Sequence, residues 1–221
     1  MDQPLAQARF NMIHQQVRPW GVLDERVLDA LDRVPRERFV PAAYLSLAFA
    51  DIDIPIGDGQ HMLAPKLVGR LLQAVAVQPG ERALEIGTGT GYLAACLAHL
   101  GARVLSLEID PGLAAEARER LSAHGFGQVE VRVADGLAGP VEGGPFDVMV
   151  VTGSLPSEAG LTDLRRQLTL GGRLFAVVGE APAMAALLIT RVGAADYRRE
   201  SLFETCIDPM ANAAARERFV F

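Results

Sequence analysis

The apolar positions change rhythm near residue 80. Before that point they recur every three or four residues, and residues 4 to 17 and 24 to 33 predict two helices. The second carries Val27, Leu28, Leu31 and Val34 at helical spacing, with Asp24 placed as its N-cap after the Gly21 turn. "FVP" at 39 to 41 stops the helical pattern, and "DIDIPIGDGQ" alternates apolar and polar residues, which predicts a short strand leading into a glycine-rich loop. Residues 65 to 76 predict a helix with Pro65 in its first turn.

From residue 82 onward the pattern is strand, helix, strand. Strands are expected at 82–87, 103–108, 129–134, 146–152 and 173–179, and helices at 91–100, 111–123 and 161–169, the last stopped by the glycines of "LGGRL". "MAALLITRV" and "YRRESLFETCI" flank "GAAD" and predict a hairpin. Alternating elements of this kind imply an α/β fold, a parallel sheet with helices on both faces and the antiparallel hairpin at one edge. The expected organisation is a helical extension over residues 1–80, covering a ligand cleft, and a core over 81–221.

Composition narrows the function classes. Half of the 221 residues are hydrophobic, enough for a sizeable core, and the net charge of −6 gives no basic footprint for nucleic acid. Cys96 and Cys206 stand far apart, with no CxxC or Cys/His spacing, so neither a disulfide framework nor a metal site is expected. The stretch "MDQPLAQARFNMIHQQVRP" has no apolar leader, and no run of about 18 apolar residues is present. A cytoplasmic protein without membrane or nucleic-acid partners is the expectation.

The candidate chemistry lies in "ALEIGTGTGYLAACLAHLGARVLSLEID". Its glycine loop follows the first core strand, where an open α/β sheet places its ligand crevice. Gly87, Gly89 and Gly91 let backbone approach a ligand and let the next helix pack closely. Glu108 closes the second strand roughly 20 residues on, where a carboxylate accepts from ribose hydroxyls. Dinucleotide folds share this logic, but they read G-x-G-x-x-G and hold a pyrophosphate. Here the spacing is G-x-G-x-G with Glu85 beside it, a poor neighbour for phosphate and a good one for an ammonium. That favours S-adenosylmethionine, which carries an ammonium, a sulfonium and a ribose. Asp135 and Gly136, after the third strand, are candidates for the adenine, and Thr152 ends the fourth strand at the same cleft.

The chain resembles the protein-L-isoaspartate O-methyltransferases in "VRPWGVLDERVLDALDRVPRERFVP", "DIPIGDGQ…AP", "LEIGTGTGYLAACLA", the "DG" turn, "PFDVMVVTGSLP" and "GGRLFAVVG". The resemblance implies a Rossmann-like class I methyltransferase that moves a methyl group from S-adenosylmethionine to the α-carboxylate of isoaspartyl residues in damaged protein, leaving S-adenosylhomocysteine. It implies that Glu85, Gly87, Thr88, Gly89, Gly91 and Leu93 cradle the methionine part and ribose, that Glu108 takes the ribose hydroxyls and that Asp135 takes the adenine. Tyr92, Ile109, Gln60, His61 and Met62 join that set, the segment after Gly59 walling cofactor from substrate. A monomer or small homo-oligomer is implied.

This chain departs from the family at three places. Where members carry Thr, Ile and an active-site Ser it has His61, Met62 and Leu63, and "VTGSLP" and "TCIDPM" also differ. His61 is a candidate catalytic residue, as hydrogen-bond donor or base, or a residue that simply faces solvent. Leu63 marks the position of the Ser. The alternatives are a methyltransferase of the same fold with another carboxylate or hydroxyl acceptor, and a cofactor-binding relative without turnover.

Overall fold

A computed structural model describes residues 3–213. The rhythm before residue 80 becomes α1 (Gln3–Asn11), which continues through a wider π-type turn at Met12–Val17, then α2 (Glu25–Arg33) and α3 (Pro65–Val75). Asp24 caps α2 by accepting from Arg26 N at 2.8 Å. Between α2 and α3 lies a hairpin, β1 (Ile54–Gly57) and β2 (Gln60–Met62), in place of the expected single short strand. Its tight turn uses three successive positive φ values, 117° at Gly57, 48° at Asp58 and 72° at Gly59. Glycine at two of these positions makes the reversal accessible.

The core strands are β3 (Arg82–Ile86), β4 (Arg103–Glu108), β5 (Glu130–Val133), β6 (Phe146–Leu155), β7 (Leu168–Glu180), β8 (Ala183–Arg191) and β9 (Tyr197–Thr205). They form one sheet in the order β5-β4-β3-β6-β7-β8-β9. The first five are parallel, and β8 and β9 add antiparallel at one edge, as the hairpin pattern anticipates. After β3 the chain builds outward to β4 and β5, then returns to place β6 on the other side of β3. That reversal opens a crevice at the carboxyl ends of β3 and β6.

Helices cover both faces, as expected, but unevenly. Apolar residues of α2 and α3, of α4 (Tyr92–His99) and of α5 (Pro111–Ala123) merge into one core cluster with Ala83, Val104, Val148 and Phe175 of the sheet. A second cluster, with Leu84, Ile86, Leu107 and Val151, is capped by the short α6 (Thr162–Arg166) and its preceding turn through Leu161 and Leu164. The helix expected over 161–169 is therefore present but short, ending at Arg166. Leu164 and Leu168 have helical spacing, but Leu168 starts β7, and the glycines of "LGGRL" lie in a bulge of that strand, Gly171 at φ 82°. No helix among the described residues is long and apolar enough to cross a membrane.

Candidate active site

The crevice is a cavity of about 290 Å³ at the carboxyl ends of β3, β4 and β6. Gln60, His61, Met62, Leu63, Glu85, Gly87, Thr88, Gly89, Tyr92, Leu93, Glu108, Ile109, Asp135, Gly136 and Thr152 all border it. Of the residues assigned to it from sequence, Gly91 alone does not. Gly91 sits at the start of α4 with φ 88°, and a Cβ there would lie 3.2 Å from Leu121 Cγ, so it serves helix packing.

Two glycines are fixed by side chains beneath them. Thr152 Oγ1 lies 2.8 Å from Gly87 O and 3.0 Å from Ile86 O, its one proton shared between them, and a Cβ on Gly87 would fall on that oxygen. Thr152 therefore pins the end of β3 rather than presenting a free hydroxyl. A register shift in β6 between Val150 and Ser154 carries Thr152 and Gly153 to the cleft, as bulges beside sites often do. A Cβ on Gly136 would meet Ile86 Cγ2 at 2.5 Å, so backbone alone fits there.

Seven acidic side chains border the cavity, and three of them, Glu85, Glu108 and Asp135, are those assigned from sequence. Glu108 accepts from Gly89 N at 2.8 Å and from Asp110 N at 3.1 Å, which locks its orientation to the glycine loop. Asp135 accepts from Leu137 N at 2.9 Å and from Asn212 Nδ2 at 3.2 Å. Glu85 is fully buried, takes a very short hydrogen bond from Ser106, and has no partner for its other oxygen, Oε1, among the described residues. Burial pushes its carboxyl up to about 8, with the Glu108 charge adding to the rise and the Ser106 bond opposing it.

That shift has a sign. Folded, Glu85 keeps its proton up to about pH 8, whereas the ordinary value of 4.5 governs the unfolded chain. Between the two values the native state holds more protons, so the contribution is complete below 4.5 and is lost as pH rises through about 8. Glu85→Gln is expected to gain thermal stability on the wild type steadily from pH 5 to pH 8. A constant difference over that window, read by calorimetry, would show that Glu85 does not titrate there.

At the mouth, residues from distant parts of the chain meet. His61 Nδ1 lies 2.7 Å from Asp208 Oδ2, both side chains about one third exposed. Asp53 accepts from Ala64 N at 2.7 Å, and burial raises its carboxyl above the usual range. Leu63 faces the cavity, and its carbonyl accepts from the buried Arg36 at 2.9 Å. The segment after β9 runs across β6 as a strap, with Ser154 N donating to Asp208 O at 2.7 Å and Met210 N to Ser154 O at 2.9 Å. Gly153 makes room for it, since a Cβ would lie 2.7 Å from Met210 Sδ. Asp53, Ser106, Asp208, Met210 and Asn212 escaped the sequence reading. A signal existed for Asp208 alone, the acid in the divergent "TCIDPM". Among the described residues no cluster of three His, Cys, Asp or Glu could hold a metal ion.

A parallel sheet that reverses at β3 and β6, carries a glycine loop and a carboxylate at the tip of β4, and ends in antiparallel strands defines a Rossmann-like fold of the class I methyltransferase type. The family model described as Protein-L-isoaspartate(D-aspartate) O-methyltransferase (PCMT) matches residues 8–206, and the chain belongs to that family. It is 41% identical over 209 residues to Protein-L-isoaspartate O-methyltransferase 2 of Marinobacter nauticus, covering 94% of each chain. It is 45% identical over 188 residues to Protein-L-isoaspartate O-methyltransferase of Methylorubrum populi, covering 84% of this chain and 86% of that one. A solved protein-L-isoaspartate O-methyltransferase superposes with a TM-score of 0.80 at 25% identity, over 93% of this chain and 66% of that longer one. A Plasmodium falciparum structure, described as a putative member of the family in complex with S-adenosyl-L-homocysteine, shares the fold with a TM-score of 0.75 at 21% identity, over 90% of this chain and 96% of that one.

Proposed function

We propose that the chain transfers the methyl group of S-adenosylmethionine to the α-carboxylate of isoaspartyl residues in damaged proteins or peptides. The observation that carries this reading is the unpartnered oxygen of buried Glu85 in a cavity also bordered by Glu108 and Asp135. Glu108 and Asp135 disfavour a pyrophosphate, and Glu85, able to give up its proton beside an ammonium, suits a ligand that also carries a ribose and an adenine. The residues fit the cofactor: Glu85 Oε1 lacks a donor, and Gly87 and Gly136 leave room that a Cβ would fill. Glu85 would hold the ammonium, Glu108 the ribose hydroxyls and Asp135 the adenine amino group.

When bound, the cofactor supplies an electrophilic sulfonium methyl. The acceptor carboxylate is ionised at neutral pH, so the chain needs no general base for it. Its residues align and exclude water instead, effects worth about 7–11 kcal/mol in well-oriented systems. Met62 and Leu63 give the cavity an apolar wall toward the acceptor. Asp208 fixes the His61 ring through Nδ1 and leaves Nε2 as the ring atom that meets the acceptor. Free Cys96 and Cys206 suit action in the reducing cytoplasm, as a monomer or small homo-oligomer.

Labelled methyl transfer to an isoaspartyl peptide, with its aspartyl twin as control, tests the reading. Transfer selective for the isoaspartyl peptide is expected, and His61→Ala is expected to raise KM about 10-fold while lowering kcat less, the loss of one charge-assisted hydrogen bond. The His61–Asp208 pair gives a second reading its only specific support, because an anchored imidazole can also deprotonate a hydroxyl acceptor. Tight S-adenosylhomocysteine binding without transfer to either peptide would favour that acceptor.

A further inference from the structure

The two oxygens of Glu85 differ. Oε2 accepts from Ser106 Oγ, whereas Oε1 meets no donor among the described residues, although the side chain is fully buried and borders the cleft. Ser106 breaks the apolar middle of "RVLSLE" and is itself fully buried. It is the Cα partner of Glu85 across the parallel pair β3–β4, so both side chains leave the same face of the sheet. The hydroxyl has one proton, committed to Glu85. Thr88 Oγ1, 2.6 Å from Ser106 Oγ, must then be the donor to Ser106. Thr88, Ser106 and Glu85 therefore form a directed chain that favours the ionised carboxylate, while burial favours the neutral one.

We propose that Ser106 is a positioning residue for the cofactor, turning Glu85 Oε1 toward the cleft and readying the carboxylate to exchange its proton for the cofactor's ammonium. The inference rests on the reading of the cleft as an S-adenosylmethionine site. The balance is simple: Glu85 gives its proton to solvent, the ammonium keeps all of its own, and an ion pair replaces an O–H bond. No isolated charge is left buried. Asp110 and Thr90 also border the cleft, but neither hydrogen-bonds Glu85, which leaves Ser106 as the group that sets its orientation.

Titration calorimetry of the full chain with S-adenosylhomocysteine at pH 6.5, in two buffers of different ionisation enthalpy, counts the protons released. About one proton per site is expected, because at that pH the ligand's amine is charged and free Glu85 is neutral. 5′-Methylthioadenosine keeps the adenosine and the thioether but lacks the amino acid, and should release none. Ser106→Ala is expected to weaken S-adenosylhomocysteine about 10-fold while moving 5′-methylthioadenosine less than about twofold, and Ser106→Cys to recover part of the loss. Binding without proton release overturns the exchange. Equal losses on both ligands overturn the positioning role, because a distorted pocket weakens both. If the wild type fails to bind S-adenosylhomocysteine at all, the reading of the cleft itself falls, and this inference with it.

Discussion

Glu108→Ala is expected to weaken S-adenosylhomocysteine binding by about 100-fold or more, with the fold retained. The Glu108 carboxylate does two jobs. It accepts from Gly89 N and Asp110 N, so it ties the glycine loop to the start of α5. Its remaining lone pairs are the ones the ribose hydroxyls would take. Charge-assisted hydrogen bonds contribute about 1.5–3 kcal/mol each, and losing the ribose pair alone accounts for two orders of magnitude. Glu108→Gln keeps the shape with one acceptor and should fall between. Calorimetric affinities, with circular dichroism to confirm folding, decide the matter. An alanine variant within threefold of the wild type would remove Glu108 from the site.

The second large effect concerns stability. Arg36→Ala should cost about 3 kcal/mol, and Arg36→Met markedly less. Arg36 is fully buried, donates from Nε to Ala48 O and from Nη2 to Leu63 O at 2.9 Å each, and lies 5.0 Å from the Tyr92 ring centroid. Nη1 finds no acceptor among the described residues, and burial holds the guanidinium below its usual pKa. Alanine leaves two carbonyls without their donor and a cavity of guanidinium size. Methionine fills the volume and escapes the desolvation of a buried charge. In a chain of this length the alanine variant should melt roughly 6–12 °C lower. Equal losses for both variants would mean that the two carbonyl bonds, lost in each, and not packing are what Arg36 supplies.

Legibility in the sequence followed locality. The glycine loop, Glu108 and Asp135 could be placed because each follows its own strand, and strands alternating with helices fix where such positions meet. His61 and Asp208 could not be paired, since they lie 147 residues apart and nothing local in either segment points to the other. Ser106 was hidden for the opposite reason. A single hydroxyl inside an apolar strand looks like an interior position, and only the register of β3 against β4 sets it beside Glu85. The helix expected over 161–169 stops early, at Arg166, because Leu164 and Leu168 satisfy a helical spacing that β7 overrides by taking Leu168. The residues that the family resemblance named border the cleft, Gly91 excepted. The mouth departs from the family, and the structure shows three segments meeting there: the β1–β2 hairpin, the bulge of β6 and the strap after β9.

The strap also sets an order of events during folding. It follows β9 directly, Asp208 lying three positions after Thr205, and it docks on β6, so its contacts form only on a sheet already assembled. Until it docks, Ser154 has neither of its backbone partners on the strap, Asp135 lacks Asn212, and His61 lacks its carboxylate. A chain without the docked strap would hold an open trough in place of a closed cleft. Enclosure of that cleft is then the last feature the fold gains.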